Sequence, residues 1–454
     1  MQAIFARQAL LPEGWASAVR IELGPDGTIA TVETGAAPLP GDQQVAILLP
    51  ALSNLHSHAF QRAMAGLTEH RGRGRDSFWT WRELMYRFAA VLTPDDVEAI
   101  AAQVQIEMLE AGHAAVAEFH YLHHRPDGGD HDDIGEMSAR VAAAAAETGI
   151  GLTHLPVLYA HGGAGGQSLS PAQGRFGCDL ARYERLMTSA ARAIAALPAD
   201  CRLGIAPHSL RAVTPDLLKA VVAAHPSGPI HIHIAEQMQE VRDIEAWLGA
   251  RPVAWLLDHL PVDHRWCLVH ATHMTGAETG ALAASGAVAG LCPITEANLG
   301  DGFFPIEDFR AGGGLWGIGS DSNVRIALAE ELRLLEYGQR LGLQARAVIC
   351  PEGASNGRTL YAEALAGGCR ALGRDAGAIA SGRLADLVAL DGEALMLDGR
   401  QGDAVLDAWI FAGDDRLVAE VWSAGRHTVA GGRHPAREKV AARFRQTLRR
   451  LLAA

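Results

Sequence analysis

The chain has 454 residues with 39 Lys and Arg against 52 Asp and Glu, a formal net charge of -13, and hydrophobic residues at 49%. That balance excludes nucleic acid and anionic membrane, both bound through excess Lys and Arg, but leaves room for a small anionic substrate held by local arginines. No apolar run reaches the roughly 18 residues of a membrane span, and the length calls for one large domain with a smaller one appended.

The N-terminus, MQAIFARQALLPEGW, lacks a basic head, apolar middle and small-residue cleavage site, so a cytoplasmic location is expected. Residues 1–48 read as short strands, with GPDG in SAVRIELGPDGTIATVE linking two alternating segments, the first half of a small β-sandwich. From 49 to 377 short apolar runs alternate with alanine-rich helical stretches. The expected strands are ILLPALSNLH (47–56), AAVAEFHY (114–121), GLTHLPVLY (151–159), RLGIAPHS (202–209), PIHIHIAE (229–236), WCLVHA (266–271), AVAGLCP (287–293) and LWGIGSD (315–321). Thr93 and Thr214 open helices between them, and Gly112 stops the first. Eight such units imply an α/β chain with a (β/α)8 TIM barrel. Residues 378–432 turn β again and are expected to complete the sandwich; 433–454 form a basic amphipathic helix read as a packed surface helix. The six cysteines show no C-x-x-C pair and read as reduced, mostly buried thiols.

In a barrel of this kind the chemistry lies at the C-terminal ends of the strands. His56 and His58, two apart on a strand, face one side and can offer two imidazole nitrogens to a metal. His231 and His233 repeat the geometry, Glu236 follows three residues later, His270 ends the sixth strand and Asp321 the eighth. Three nitrogens and a carboxylate suit a catalytic divalent ion, Zn²⁺ first but also Fe²⁺, which lowers the pKa of water towards about 7 for hydrolysis. The histidines of FHYLHHRPDGGDHDD lack regular ligand spacing and read as a polar loop.

LSNLHSHAF, HIHIAEQ, LVHATHM and GIGSDSN, in that order, with the GRLADLVALD return to β structure, resemble the amidohydrolase superfamily in its mononuclear aminohydrolase branch. The resemblance spans essentially the whole chain. It implies that His56, His58, His233 and Asp321 bind one metal ion per chain, that Glu236, His270 and Asp321 are catalytic, and that the protein is a homodimer. His231 would be supporting. The chain has only two lysines, Lys219 in a helical stretch and Lys439 in the tail, so no lysine is offered to bridge two metals.

HSHAFQRAMAGL, DSFWTWRELMY, EFHYLHH and APHSLRAV further resemble the formimidoylglutamate deiminases, hydrolases of linear amidines in histidine breakdown. By that resemblance the substrate is N-formimino-L-glutamate, contacted by Gln61, Arg82, Tyr121, His208 and Arg211. A dianionic amino-acid derivative suits two arginines, which bind carboxylates bidentately. A purine-type deaminase, which would favour aromatic and amide groups over paired arginines, and a metal-binding protein without catalysis are the alternatives.

Overall fold

The computed structural model describes residues 2–70 and 78–453. The N-terminal segment supplies β1 (Ala3–Leu11), β2 (Gly14–Leu23), β3 (Ile29–Glu33) and β4 (Gln43–Pro50). The GPDG turn joins β2 to β3 as an antiparallel pair. Gly27 at its end has φ +82°, and a Cβ there would stand 2.4 Å from the Ala424 carbonyl oxygen, so only glycine fits between the two ends of the chain.

The next strands are β5 (Leu52–Ser57), β6 (His113–His120), β7 (Gly151–Leu158), β8 (Arg202–Leu203), β9 (Ala206–Pro207), β10 (Ile230–Ile234), β11 (Trp266–His270), β12 (Val288–Leu291) and β13 (Leu315–Ile318). They form two parallel sheets, β5-β6-β7-β8 with β9 on β7, and β10-β11-β12-β13. Single parallel bridges join the sheets at both seams, Ser57 to Asp321 and Ile205 to Ile230. β5, β6, β7, β10, β11 and β12 are buried at every residue, as parallel strands covered on both faces must be. The chain then returns through β14 (Leu387–Leu390), β15 (Val418–Ser423) and β16 (Arg426–Val429). These do pair with the N-terminal strands, in one seven-stranded sheet of order β16-β15-β14-β4-β1-β2-β3 over a core that includes Ile4, Ile21, Leu48 and Trp422.

Three local expectations need correction. The run 47–56 is not one strand: β4 ends at Pro50, β5 starts at Leu52, and they lie in different sheets. Pro50 has no N–H to extend a ladder, its carbonyl is taken by the Tyr361 hydroxyl at 2.8 Å, and Ala51 N–H donates instead to Asp386 O. The run 202–209 is likewise broken into β8 and β9. Within 378–432 the segment Asp403–Ala412 is a helix, burying Val405, Leu406, Trp409 and Ile410. Elsewhere the local signals hold. Thr93 caps the helix Pro94–Glu110 in a reciprocal box with Asp96, and Thr214 precedes the helix Pro215–Ala224. The terminal helix Arg437–Ala453 buries Val440 and Leu451 and sets Arg437 and Arg450 against Glu110 and Asp96 of Pro94–Glu110. Among the described residues no helix is long and apolar enough to cross a membrane.

Candidate active site

Asn54, two residues before His56 inside an apolar strand, organises the joint between β5 and β13. Its Oδ1 accepts from Ser320 N–H at 3.1 Å, and its amide donates to Ser320 Oγ at 2.7 Å. Ser320 Oγ donates to Asn323 Oδ1 at 2.6 Å, and the Asn323 amide returns to Ser57 Oγ at 3.1 Å. This buried ring of amides and hydroxyls fixes Asp321 between its members. Gly319 permits the approach, since a Cβ there would stand 2.8 Å from Cβ of His56. Past the strands the backbone enters the left-handed region at Ala235, His270, Ala271 and Asp321 (φ 52°, 67°, 48° and 46°). Each such residue costs on the order of 1 kcal/mol or more and is held there by its surroundings.

His56, His58, His233 and Asp321 converge in this frame. The three Nε2 atoms are 3.2, 3.0 and 3.3 Å apart, and Asp321 Oδ1 lies 3.4 and 3.3 Å from His56 and His58 Nε2. His58 Nδ1–H donates to Phe119 O at 2.7 Å and His233 Nδ1–H to His208 O at 3.2 Å, which fixes both tautomers with Nε2 bare. Burial lowers all three imidazoles, His56 to about 3, so they are neutral donors. Although burial works against it, the His56 hydrogen bond and the nearby rings hold Asp321 below the usual carboxylate range. Bare lone pairs packed this closely repel unless a cation sits between them. A tetrahedral shell with ligands near 2.0–2.1 Å spaces its donors by roughly 3.3 Å, so the residues fit a divalent ion. His231 is elsewhere: its Nε2–H donates to Ala371 O at 2.8 Å in the core. Lys219 lies on the helix Pro215–Ala224, away from any strand.

Glu236 and His270 border the cluster. His270 Nε2 is 3.9 Å from Glu236 Oε1 and 3.9 Å from Asp321 Oδ2, while its Nδ1–H donates to Glu296 Oε1 at 3.2 Å. Against burial, Glu236, Glu296 and Asp321 raise His270; burial raises Glu236. The sequence reading missed Glu296, whose only local signal is an acidic residue soon after the parallel strand β12. It also missed Asp301, whose buried carboxyl accepts from the Gln237 amide.

One cavity brings the remaining candidates together. Gln61, Arg82, Tyr121, His208 and Arg211 line it together with His58, His233, Glu236, His270 and Asp321. Gln61, on the 3-10 turn Ala59–Met64, donates to the Tyr121 hydroxyl at 2.6 Å and leaves Oε1 buried without a partner. Arg82, on the helix Phe78–Val91, holds its guanidinium 5.4 Å from the centre of the Tyr86 ring. The first two residues of the DSFWTWRELMY motif, Asp76 and Ser77, lie outside the described residues. His208 Nδ1 meets Ser209 Oγ at 3.0 Å, and its carbonyl steadies His233. His123 and His124, assigned above to a polar loop, are instead buried, each ring donating to a carbonyl, of Val157 and Gly177. The polar loop starts only after them.

The chain matches the profile of the amidohydrolase family over residues 47–428, and that described as "Formimidoylglutamate deiminase HutF, N-terminal domain" over residues 1–46. A formimidoylglutamate deiminase of Pseudomonas aeruginosa is 53% identical over 454 residues, all of both chains. A 5-methylthioadenosine/S-adenosylhomocysteine deaminase of Natronomonas pharaonis is 28% identical over 89% of this chain and 84% of its own. Among solved structures, an amidohydrolase from Brucella melitensis superposes with a TM-score of 0.96 at 50% identity over 100% of both chains. A zinc-bound adenosine deaminase from Xanthomonas campestris shares the fold, with a TM-score of 0.81 at 23% identity over 100% of this chain and 99% of its own. On the profile match and the full-length relative together, the chain belongs to the amidohydrolase family.

Proposed function

We propose that the chain is a metal-dependent deiminase that hydrolyses N-formimino-L-glutamate to N-formyl-L-glutamate and ammonia in histidine degradation. The observation that carries this reading is the single cavity holding the metal-type cluster, the Glu236/His270 pair and two arginines. The 53% identical relative named for that substrate supports it along the whole length.

His56, His58, His233 and Asp321 would hold the ion, which when bound supplies the Lewis acidity that activates water and polarises the amidine. Asp321 turns Oδ2 towards His270, 3.9 Å away, and is placed to take the proton of the attacking water. His270, oriented by Glu296, is placed to polarise the amidine or orient the attacking water through Nε2–H. Glu236, its carboxyl raised by burial, delivers a proton to the departing nitrogen. The C–N bond breaks, ammonia leaves and the formyl amide remains. Arg82 and Arg211 clamp the two carboxylates, and Gln61 Oε1 accepts from an amidine N–H.

The wider reading is a (β/α)8 barrel over 49–377 whose two parallel sheets close through their bridged seams. A small β-sandwich forms from 1–48 and 378–432, and a terminal helix spans 433–454. The profile boundary after residue 46 supports the first border. Zn²⁺ is supported by the nitrogen-rich donor set, and a cytoplasmic homodimer by the resemblance to a catabolic enzyme family.

A coupled ammonia assay on N-formimino-L-glutamate, N-formimino-L-aspartate and guanine tests the proposal. Turnover of the first, with kcat/KM sharply lowered chiefly through KM in each of Arg82→Met and Arg211→Met, is expected; turnover of guanine that survives both substitutions would overturn it.

A further inference from the structure

Glu240, in the first turn of the helix Met238–Leu248, is fully buried. A buried carboxylate is costly unless its oxygens are bonded and its charge is met. Here Oε1 accepts from Ala235 N–H at 3.1 Å and Oε2 from Glu236 N–H at 3.2 Å. These N–H groups flank the left-handed turn at Ala235, φ 52°, by which the chain leaves β10 and presents Glu236. The cation that shares this corner is the half-buried Arg211, which lines the same cavity as Glu236 and whose positive form the negative charges of Glu240 and Glu236 favour. Arg211 and Glu236 both face the cavity, whereas Glu240 is absent from its lining. A helix cap alone would not need a fully buried carboxylate spanning two successive backbone N–H groups. One carboxylate thus stands behind two groups with different duties.

We propose that Glu240 is a positioning residue of this site: it fixes the Ala235 and Glu236 peptides that aim the Glu236 carboxyl, and it sets the Arg211 guanidinium for a substrate carboxylate. The inference rests on the deiminase reading.

The test is a kinetic cycle on the metal-loaded enzyme with N-formimino-L-glutamate, using Glu240→Gln, Glu240→Asp, Arg211→Met and the double variant Glu240→Gln/Arg211→Met. Glu240→Gln keeps the shape, loses the charge and turns an amide against one backbone N–H. It is expected to raise KM by about tenfold or more and to lower kcat, with metal content unchanged. In the Arg211→Met background the same change should lower kcat but add nothing further to KM, because its effect on binding passes through Arg211. Glu240→Asp keeps the charge but shortens the reach, so kcat should fall while KM stays within about threefold of wild type. If Glu240→Gln does not fold, Glu240→Asp decides alone. Additive effects on KM in the double variant, or kcat and KM near wild type in Glu240→Gln or Glu240→Asp with only a lowered Tm, would reduce Glu240 to a helix cap and overturn the proposal. A wild-type enzyme that releases no ammonia from N-formimino-L-glutamate would overturn the deiminase reading instead, and the two failures are distinct.

Discussion

Glu236 and His270 carry opposite burdens within one buried pocket. His270 has carboxylates on both ring nitrogens, Glu296 on Nδ1 and Glu236 with Asp321 beyond Nε2, and so keeps its proton. Glu236 is raised as well, here by burial, but towards its neutral form, which places a protonated carboxyl where the proposed leaving nitrogen would need one. Replacing Glu236 by Gln preserves shape and leaves the four converging donors untouched, so metal content should match wild type while kcat falls by about 10²- to 10⁴-fold. Metal analysis beside ammonia release checks both halves, and near-normal turnover would remove Glu236 from proton transfer. At this scale much of the site was legible. His56, His58, His233 and Asp321 stand at the ends of apolar runs, where a polar side chain is conspicuous. Asn54, Ser320 and Asn323 were not legible, because their meaning lies in contacts across 266 positions of sequence, and a lone Asn or Ser carries no periodic signal.

Among the elements, the parallel sheets are pinned to the terminal sheet by paired charge at the ends away from the site. Arg374, just past the helix Asn356–Leu372, donates to both oxygens of Asp386 ahead of β14, at 2.5 and 2.8 Å, and lies 2.9 Å from Asp200 Oδ2 before β8. Arg426, the first residue of β16, clamps both oxygens of Asp200 at 2.7 and 2.8 Å. Burial works against the Asp200 charge, but the Arg426 hydrogen bonds and the Arg374 charge outweigh it and lower its pKa. For a carboxylate depressed in the folded state, the stabilisation is present above the unfolded value of about 3.9 and is lost as pH falls through the folded value. Asp200→Asn should therefore cost about 3 kcal/mol at pH 7, with the gap to wild type closing below about pH 3.9. Urea melts of chelated protein at pH 7 and pH 3 measure this, and a gap independent of pH would refute the assignment. None of these partners was visible in sequence, where each is one charge among many. The helix Asp403–Ala412 escaped for a related reason: ten residues between glycines are too short for helical periodicity to outweigh the β pattern on either side. The β4/β5 break was marked by Pro50, whose missing N–H mattered more than the unbroken apolar run around it.

Over the whole molecule, the four donors are divided between the two parallel sheets. His56 belongs to β5 and His58 directly follows it, His233 belongs to β10, and Asp321 follows β13. Between β5 and β13 the ladder is reduced to the single Ser57–Asp321 bridge, so a bound ion would act as a staple across one of the two thinly paired seams. Without a cation the same seam packs the bare nitrogens of His58 and His233 against His56 and a carboxylate, which favours opening. A ligand that binds only the native state at about 100 times its Kd stabilises it by about 2.7 kcal/mol. In a chain of this size that corresponds to a Tm shift of roughly 3 °C. Chelation should thus abolish ammonia release, lower Tm by about that amount, and speed amide exchange first in β5 and in the Ser320–Asn323 turn rather than in the seven-stranded sheet. Returning Zn²⁺ should restore all three. If chelation removes activity but leaves the melt and the exchange of β5 unchanged, the seam is held by the Asn54, Ser320 and Asn323 ring alone and the ion contributes chemistry without structure.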